Sequence, residues 1–380
     1  MDRRQFLAFA LAGLAAPAAA LQAAPMRTQW RVRGSEALDA IAFLGPLSGR
    51  ELYRRYYAED ADVFLPTLAE PVRADIPRLW DEAERSSFGL FWPVLAAVAS
   101  GSGANSLDEL IAAFAAPEAR IRPAYQTSKY WNAEDWTWLT AHAQRIHAVF
   151  AAFRDAGFVA FRQARIAELD RQIQDTQRAL RSYDVIRWQE KLTGRSFDPA
   201  IEIVLLRWSK PHGVKVQGQT FLQASDYDTA TTVRIAAHEM LHPPFPMDGP
   251  AARAALGVLE RDALIMRIVR EHDPRWGYTT LDGLLDEDIC QALDQLISEA
   301  LGVARNPADR WRRADDGMHV LAAGIYGLLR EDRWTETGGS IERWIADAAA
   351  RGRLAPAVMH PVAARVLERP VDGLWPIANS

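Results

Sequence analysis

The sequence predicts a mainly α-helical α+β protein, with a helical N-terminal region followed by a part in which a small sheet feeds one chemistry-bearing helix. Three observations carry this. Apolar residues recur at helical spacing from about residue 35 to 194. After Phe197-Asp198-Pro199 the period changes, and residues 201–206 and 214–224 are rich in β-formers. From Thr229 onward helical periodicity returns. With 380 residues, 49% of them hydrophobic and 24% charged, the chain holds ample apolar material for a large core. Its net charge of −5 and its four lysines (Lys129, Lys191, Lys210, Lys215) leave no basic stripe, so no nucleic-acid partner is expected. The single cysteine, Cys290, excludes an intramolecular disulfide and a Cys-rich metal site. Its place in a helical pattern beside Ile289 and Leu293 predicts a buried, inert thiol.

The elements follow in order. Residues 1–24 read as a charged start, the apolar stretch 6–16, and then small residues with Ala18-Ala19-Ala20 offering a cleavage site. Eleven apolar residues fall short of the roughly 20 a spanning helix needs, so no stable membrane span is expected after cleavage. Arg3-Arg4-Gln5-Phe6-Leu7 resembles a twin-arginine signal, with Asp2 and Ala8 departing from the usual pattern. That resemblance implies export in the folded state to a bacterial periplasm. Residues 25–195 form the helical region, whose role the sequence leaves open. Its clearest helices are Leu107–Ala115, opened by Ser106 and Glu109 at capping-box spacing, 136–156, and 159–183. The aromatic cluster Tyr130-Trp131, Trp136 and Trp138 reads as core. In the third part, 196–380, the two β-rich runs form a hairpin or neighbouring strands, and a helix over 229–242 is stopped by Pro243-Pro244. Further helices are expected over 251–271, 286–303, 317–330 and Ile341–Ala350.

The chemistry is concentrated in His238-Glu239-Met240-Leu241-His242. Residues four apart on a helix share a face, so both imidazoles can address one metal ion. Glu239, about a quarter turn away, can act as general base on a water held there. Val233, Ala237, Met240 and Leu241 form one apolar stripe. Thr231, Ile235, His238 and His242 lie opposite, so one face can pack while the other lines a cleft. No P-loop, GxGxxG opening or GxSxG elbow competes.

At these residues the chain resembles the HExxH metallopeptidases, the zincins, over about residues 201–330. The resemblance implies a Zn2+ cofactor, a sheet preceding the active-site helix, and an edge strand that pairs with extended substrate, here within 214–224. A zinc site of this kind needs a third protein ligand. The gluzincin arrangement takes it from a later helix, and Glu299, in Leu296-Ile297-Ser298-Glu299-Ala300-Leu301, is the leading candidate, ahead of Glu260 and Asp248. Val303 stands where many gluzincins carry an Asp that orients the first histidine. His319 and Tyr326, seven apart on one helix, are candidates to donate to a transition-state oxyanion. The expected function is therefore zinc-dependent peptide-bond hydrolysis in the periplasm, with a peptide or protein as substrate. His238, His242 and Glu299 would hold the metal, with Glu239 as general base. A non-catalytic periplasmic binding module with a structural or vestigial zinc site is the alternative, and a hydrolase of another amide such as a cell-wall cross-link is a third reading. The oligomeric state is open.

Overall fold

The computed structural model describes residues 25–376; the leader read at 1–24 lies outside them. Among the described residues helices make up 66% and strands 6%, as expected of a mainly α protein of the α+β class. Four strands form one sheet in the order β1-β2-β4-β3: β1 (Gln29–Gly34), β2 (Ala200–Leu206), β3 (Val214–Lys215) and β4 (Thr220–Ala224). The first three in that order are parallel, with Trp30 opposite Ile201 and Ile203 opposite Phe221. Only β3 runs antiparallel, Val214 facing Leu222. The expected run 214–224 is thus two strands joined by a turn, and β1, inside the region read as helical, was not anticipated.

The sheet is covered on both faces, which explains its near-continuous apolar central strand. Ile201, Ile203 and Leu205 alternate into one core together with Phe221. Val204 and Leu206 point the other way, into a second core with Trp208 and Leu222. The N-terminal helices up to Phe158–Gln163 build that second core around Phe43, Phe64 and Phe150. The helices Leu169–Ala179 and Val185–Thr193 instead join the first core with the C-terminal half. The change of side occurs where one continuous helix was expected over 159–183. The chain breaks after Gln163, and Leu169 then packs so tightly on Gly34 that a Cβ there would lie 2.9 Å from its Cδ2. A buried Arg162–Asp39 ion pair at 2.7 Å ties two helices of the second core to the sheet, because Asp39 also accepts the Arg207 backbone N–H just past β2.

Local chemistry sets the other boundaries. Ser106 and Glu109 make the expected capping box. The expected helix 251–271 divides into Pro250–Leu259 and Ala263–Glu271, because the Asp262 carboxylate accepts the N–H groups of Leu264 and Ile265 and starts a new helix. The helix bearing the histidines, Thr229–Glu239, is capped by Asp228 and ends three residues before the expected His242. Pro243 disfavours helical backbone at His242, so the last turn tightens to a Leu241 N–H bond onto the His238 carbonyl at 3.0 Å. Among the described residues no helix is long and apolar enough to cross a membrane.

The β2–β3 connection is anchored by His212, whose Nε2 lies 3.0 Å from the Tyr53 hydroxyl and whose ring packs edge-on against Trp92. Burial holds this imidazole down to about 4. As pH falls, the unfolded chain therefore takes up its proton first, and the stability present above about pH 6.5 is lost as pH falls towards 4. Urea unfolding of the parent and a His212→Phe variant between about pH 4 and 7 should show the parent losing at most about 3 kcal/mol relative to the variant at the acid end. A difference constant with pH would show that His212 takes up its proton equally readily in the folded and unfolded chain.

Candidate metal centre

Two helices build the site. Thr229–Glu239 packs against Leu281–Ala300, a helix with apolar neighbours on nearly every side. Along the latter runs a polar stripe, Glu287, Gln291, Asp294, at spacings that keep successive residues on one face. Glu287 lies between the two histidines: its Oε1 is 3.5 Å from His238 Nε2 and its Oε2 is 3.4 Å from His242 Nε2. The two Nε2 atoms are 3.1 Å apart. Each opposite ring nitrogen faces a carboxylate, His238 Nδ1 onto Asp294 at 2.8 Å and His242 Nδ1 onto Asp286 at 3.3 Å. Carboxylates only accept, so both Nδ1 atoms carry hydrogen, and a neutral imidazole then points a bare lone pair from Nε2.

Three lone-pair donors thus converge with no proton among them unless the rings are charged. Such a cluster repels itself without a cation. Burial opposes charge on His238, yet the Glu287 charge and the Asp294 hydrogen bond carry its pKa up to about 9. Burial likewise opposes charge on His242, while its neighbours Cys290 and Asp286 raise it well above the usual histidine range. Conversely, Glu287 is held well below the carboxylate range: burial would raise it, and the His238 charge overrides that. Glu287 Oε2, buried, has no hydrogen-bond partner, whereas Oε1 accepts Gln291 Nε2 at 2.8 Å. A zinc ion with arms of about 2.05 Å sets tetrahedral ligand atoms about 3.3 Å apart; the two Nε2 atoms are 3.1 Å apart, and the Glu287 carboxylate straddles them, Oε1 at 3.5 Å from His238 Nε2 and Oε2 at 3.4 Å from His242 Nε2. By donor chemistry and spacing, His238, His242 and Glu287 fit a zinc ion.

The structure does not bring Glu299 to this site. It stands twelve residues beyond Glu287, roughly 18 Å along the helix. There its carboxylate accepts the Tyr326 hydroxyl at 2.5 Å and Gln295 Nε2 at 3.1 Å, and pairs with Arg330 at 2.6 Å. Tyr326 is thereby committed to Glu299 and not to the histidines. His319 is wholly buried with both ring nitrogens engaged, by Asp288 at 2.6 Å and Asp315 at 3.0 Å, so it has no donor to offer a substrate. Glu260 is an exposed C-cap residue and Asp248 lies exposed in a turn. The orienting carboxylate sought at Val303 is Asp294, itself clamped by Arg310 through both oxygens.

Sequence reasoning missed Glu287, Asp294, Lys215 and the site role of residues 129–130. A signal was present: Asp286-Glu287-Asp288 is an acidic triplet inside a helix otherwise suited to a core, and each such group needs a partner when buried. The N-terminal region reaches the site through Lys129, whose ammonium donates to the His242 carbonyl, and Tyr130, whose buried hydroxyl has no partner. Burial, then the Glu239 charge, raise the Tyr130 phenol. Lys215, at the sheet edge, donates to the Glu239 carbonyl at 2.6 Å, and burial together with Lys129 lowers its pKa to about 7. Cys290 is buried as expected, 3.5 Å from His242 Nδ1, and burial pushes its thiol up to about 12.

The chain matches no protein-family model, no curated protein and no solved structure.

Zinc competition against a chromophoric chelator separates the two glutamates. Glu287→Gln should abolish stoichiometric binding, Asp294→Asn should weaken it about 10–100-fold, and Glu299→Gln should leave it unchanged. Retention in Glu287→Gln with loss in Glu299→Gln would restore the original ligand assignment.

Proposed function

We propose that the protein is a zinc-dependent hydrolase of peptide bonds, similar in its ligand logic to the gluzincins and delivered to the periplasm by its leader. The observation that carries this reading is the grouping of one ligand atom each from His238, His242 and Glu287 within 4.8 Å of one another, with Glu287 Oε2 unpartnered and each histidine fixed by its own carboxylate. Zinc at such a site polarises a carbonyl and lowers the pKa of water.

The remaining work falls to this chain's own side chains. Glu239 lines the open cavity beside His238, where its carboxylate can take the proton of an attacking water and return it to the leaving amine. The neighbouring acidic groups Asp286 and Glu287 make the site strongly negative. Lys129 and Lys215, both drawn in from other parts of the fold, offset this and pin the backbone carbonyls of His242 and Glu239. Tyr130 supplies a hydroxyl donor with no other partner, the role for which His319 and Tyr326 are already committed elsewhere. The N-terminal helical region on this reading completes the site, since Lys129 and Tyr130 both belong to it.

The test is zinc per chain in the purified mature protein, followed by cleavage of a mixed peptide library. The parent should hold about one equivalent and His238→Ala little. Glu239→Gln should keep the metal and lose about 10²–10⁴-fold in turnover, and Tyr130→Phe should lose about 10²-fold in kcat with KM little changed. Bound zinc with no hydrolysis sensitive to Glu239 would overturn the enzyme reading in favour of a structural site.

A further inference from the structure

Beside His238 and Glu239 opens a cavity of about 200 Å³, whose walls carry three guanidinium groups, Arg234, Arg305 and Arg310. Arg310 is neutralised by Asp294. Arg234 and Arg305 are not: among the described residues neither has a carboxylate within ion-pair distance. Arg234 is half-buried and its donors go to neutral oxygens, the Val303 carbonyl at 2.8 Å and the Thr231 hydroxyl at 2.7 Å. These two bonds hold the guanidinium in place before any ligand arrives. Asp228, at the N-cap of the same helix, is occupied in capping the Thr231 N–H at 2.6 Å. Burial, then the charges of Arg305 and Arg310, make Arg234 harder to keep protonated. An anion entering the cavity would relieve that repulsion. A fixed, partly desolvated guanidinium that lacks an acid is suited to hold a carboxylate.

Position says where on a substrate that carboxylate sits. Arg234 precedes His238 by four residues, so the two side chains are neighbours on one face, with Cβ atoms about 5–6 Å apart. One extended residue spans about 3.3–3.6 Å. The volume is below the roughly 300–1,000 Å³ of pockets that enclose larger ligands. An anionic group bound at Arg234 is therefore one to two residues from a carbonyl placed at His238 and Glu239.

We infer that this cavity is a carboxylate-recognition subsite, with Arg234 as the binding group and Arg305 at its mouth, so that the hydrolase acts on peptide bonds next to a C-terminal carboxylate or an acidic side chain. The inference rests on the proposed hydrolase reading for its consequence, but the binding it requires is measurable without turnover.

Calorimetric titration of the mature chain, purified with zinc in the buffer, uses three N-acetylated tetrapeptides as probes. They are tetra-alanine with a free C-terminus, its C-terminal amide, and an amide with glutamate at the third position. At least one carboxylate-bearing peptide should bind 10-fold or more tightly than the uncharged amide. A preference for the free acid identifies the terminal carboxylate, and a preference for the glutamate peptide identifies the side chain. Arg234→Gln should remove the preference, Arg234→Lys should restore part of it, and Arg305→Gln, at an exposed position whose backbone carbonyl still accepts Gln295, should reduce it about 3-fold. Equal binding of all three peptides, or a preference that survives Arg234→Gln, overturns the subsite. Arginine-dependent binding without cleavage of any peptide leaves the subsite standing and overturns the hydrolase reading alone.

Discussion

Glu287 is buried in a helix that has almost no polar surroundings except those built for it, and the rest of the centre depends on satisfying that one carboxylate. An isolated charge in such a place costs several kcal/mol. Gln291, one turn along, takes one oxygen, and the two imidazoles face the pair. The same requirement repeats along the helix. Asp288 is answered by His319 and a backbone N–H of Ala322, and Asp294 by Arg310 and His238. Three acids in one buried helix thus dictate the positions of three histidines and an arginine from three other segments.

The sheet serves the same end. Because β2 is buried on both faces, it fixes the N-terminal and C-terminal cores relative to each other, and the short β3 at the sheet edge presents Lys215 to Glu239. From the opposite side the N-terminal region delivers Lys129 and Tyr130. Those two lysines oppose an excess of acid at the centre. One wall of the neighbouring cavity instead carries an excess of arginine. The two imbalances have opposite sign, one suited to a cation and the other to an anion, and they lie within a turn of the same helix.

Much of the local structure was legible. The capping box at Ser106, the helix Ile341–Ala350, the strand around Ile203 and the start of the histidine helix at Asp228 all follow from side-chain chemistry within a few residues. Errors fell where long-range packing decides. The helix expected over 159–183 breaks because the chain must pass from one core to the other. Strand β1 escaped notice because it is supported by partners far along the chain, above all by pairing with β2, 171 residues later.

At the site itself the sequence alone determined that two histidines with a glutamate beside the first would lie about one helical turn apart, since that follows from 3.6 residues per turn. The resemblance to the gluzincins added the expectation of an acid from a later helix. Which acid was a tertiary question. Glu287 and Glu299 differ by roughly 18 Å along one helix and about a third of a turn around it. Glu287 stands in the acidic triplet Asp286-Glu287-Asp288 and Glu299 between Ser298 and Ala300, but that local difference does not say which of them meets the histidines. Only the way Thr229–Glu239 docks along Leu281–Ala300, with Arg234 at Val303 and His238 at Asp294, sets the axial offset that puts Glu287 between the imidazoles and leaves Glu299 to Tyr326 and Arg330.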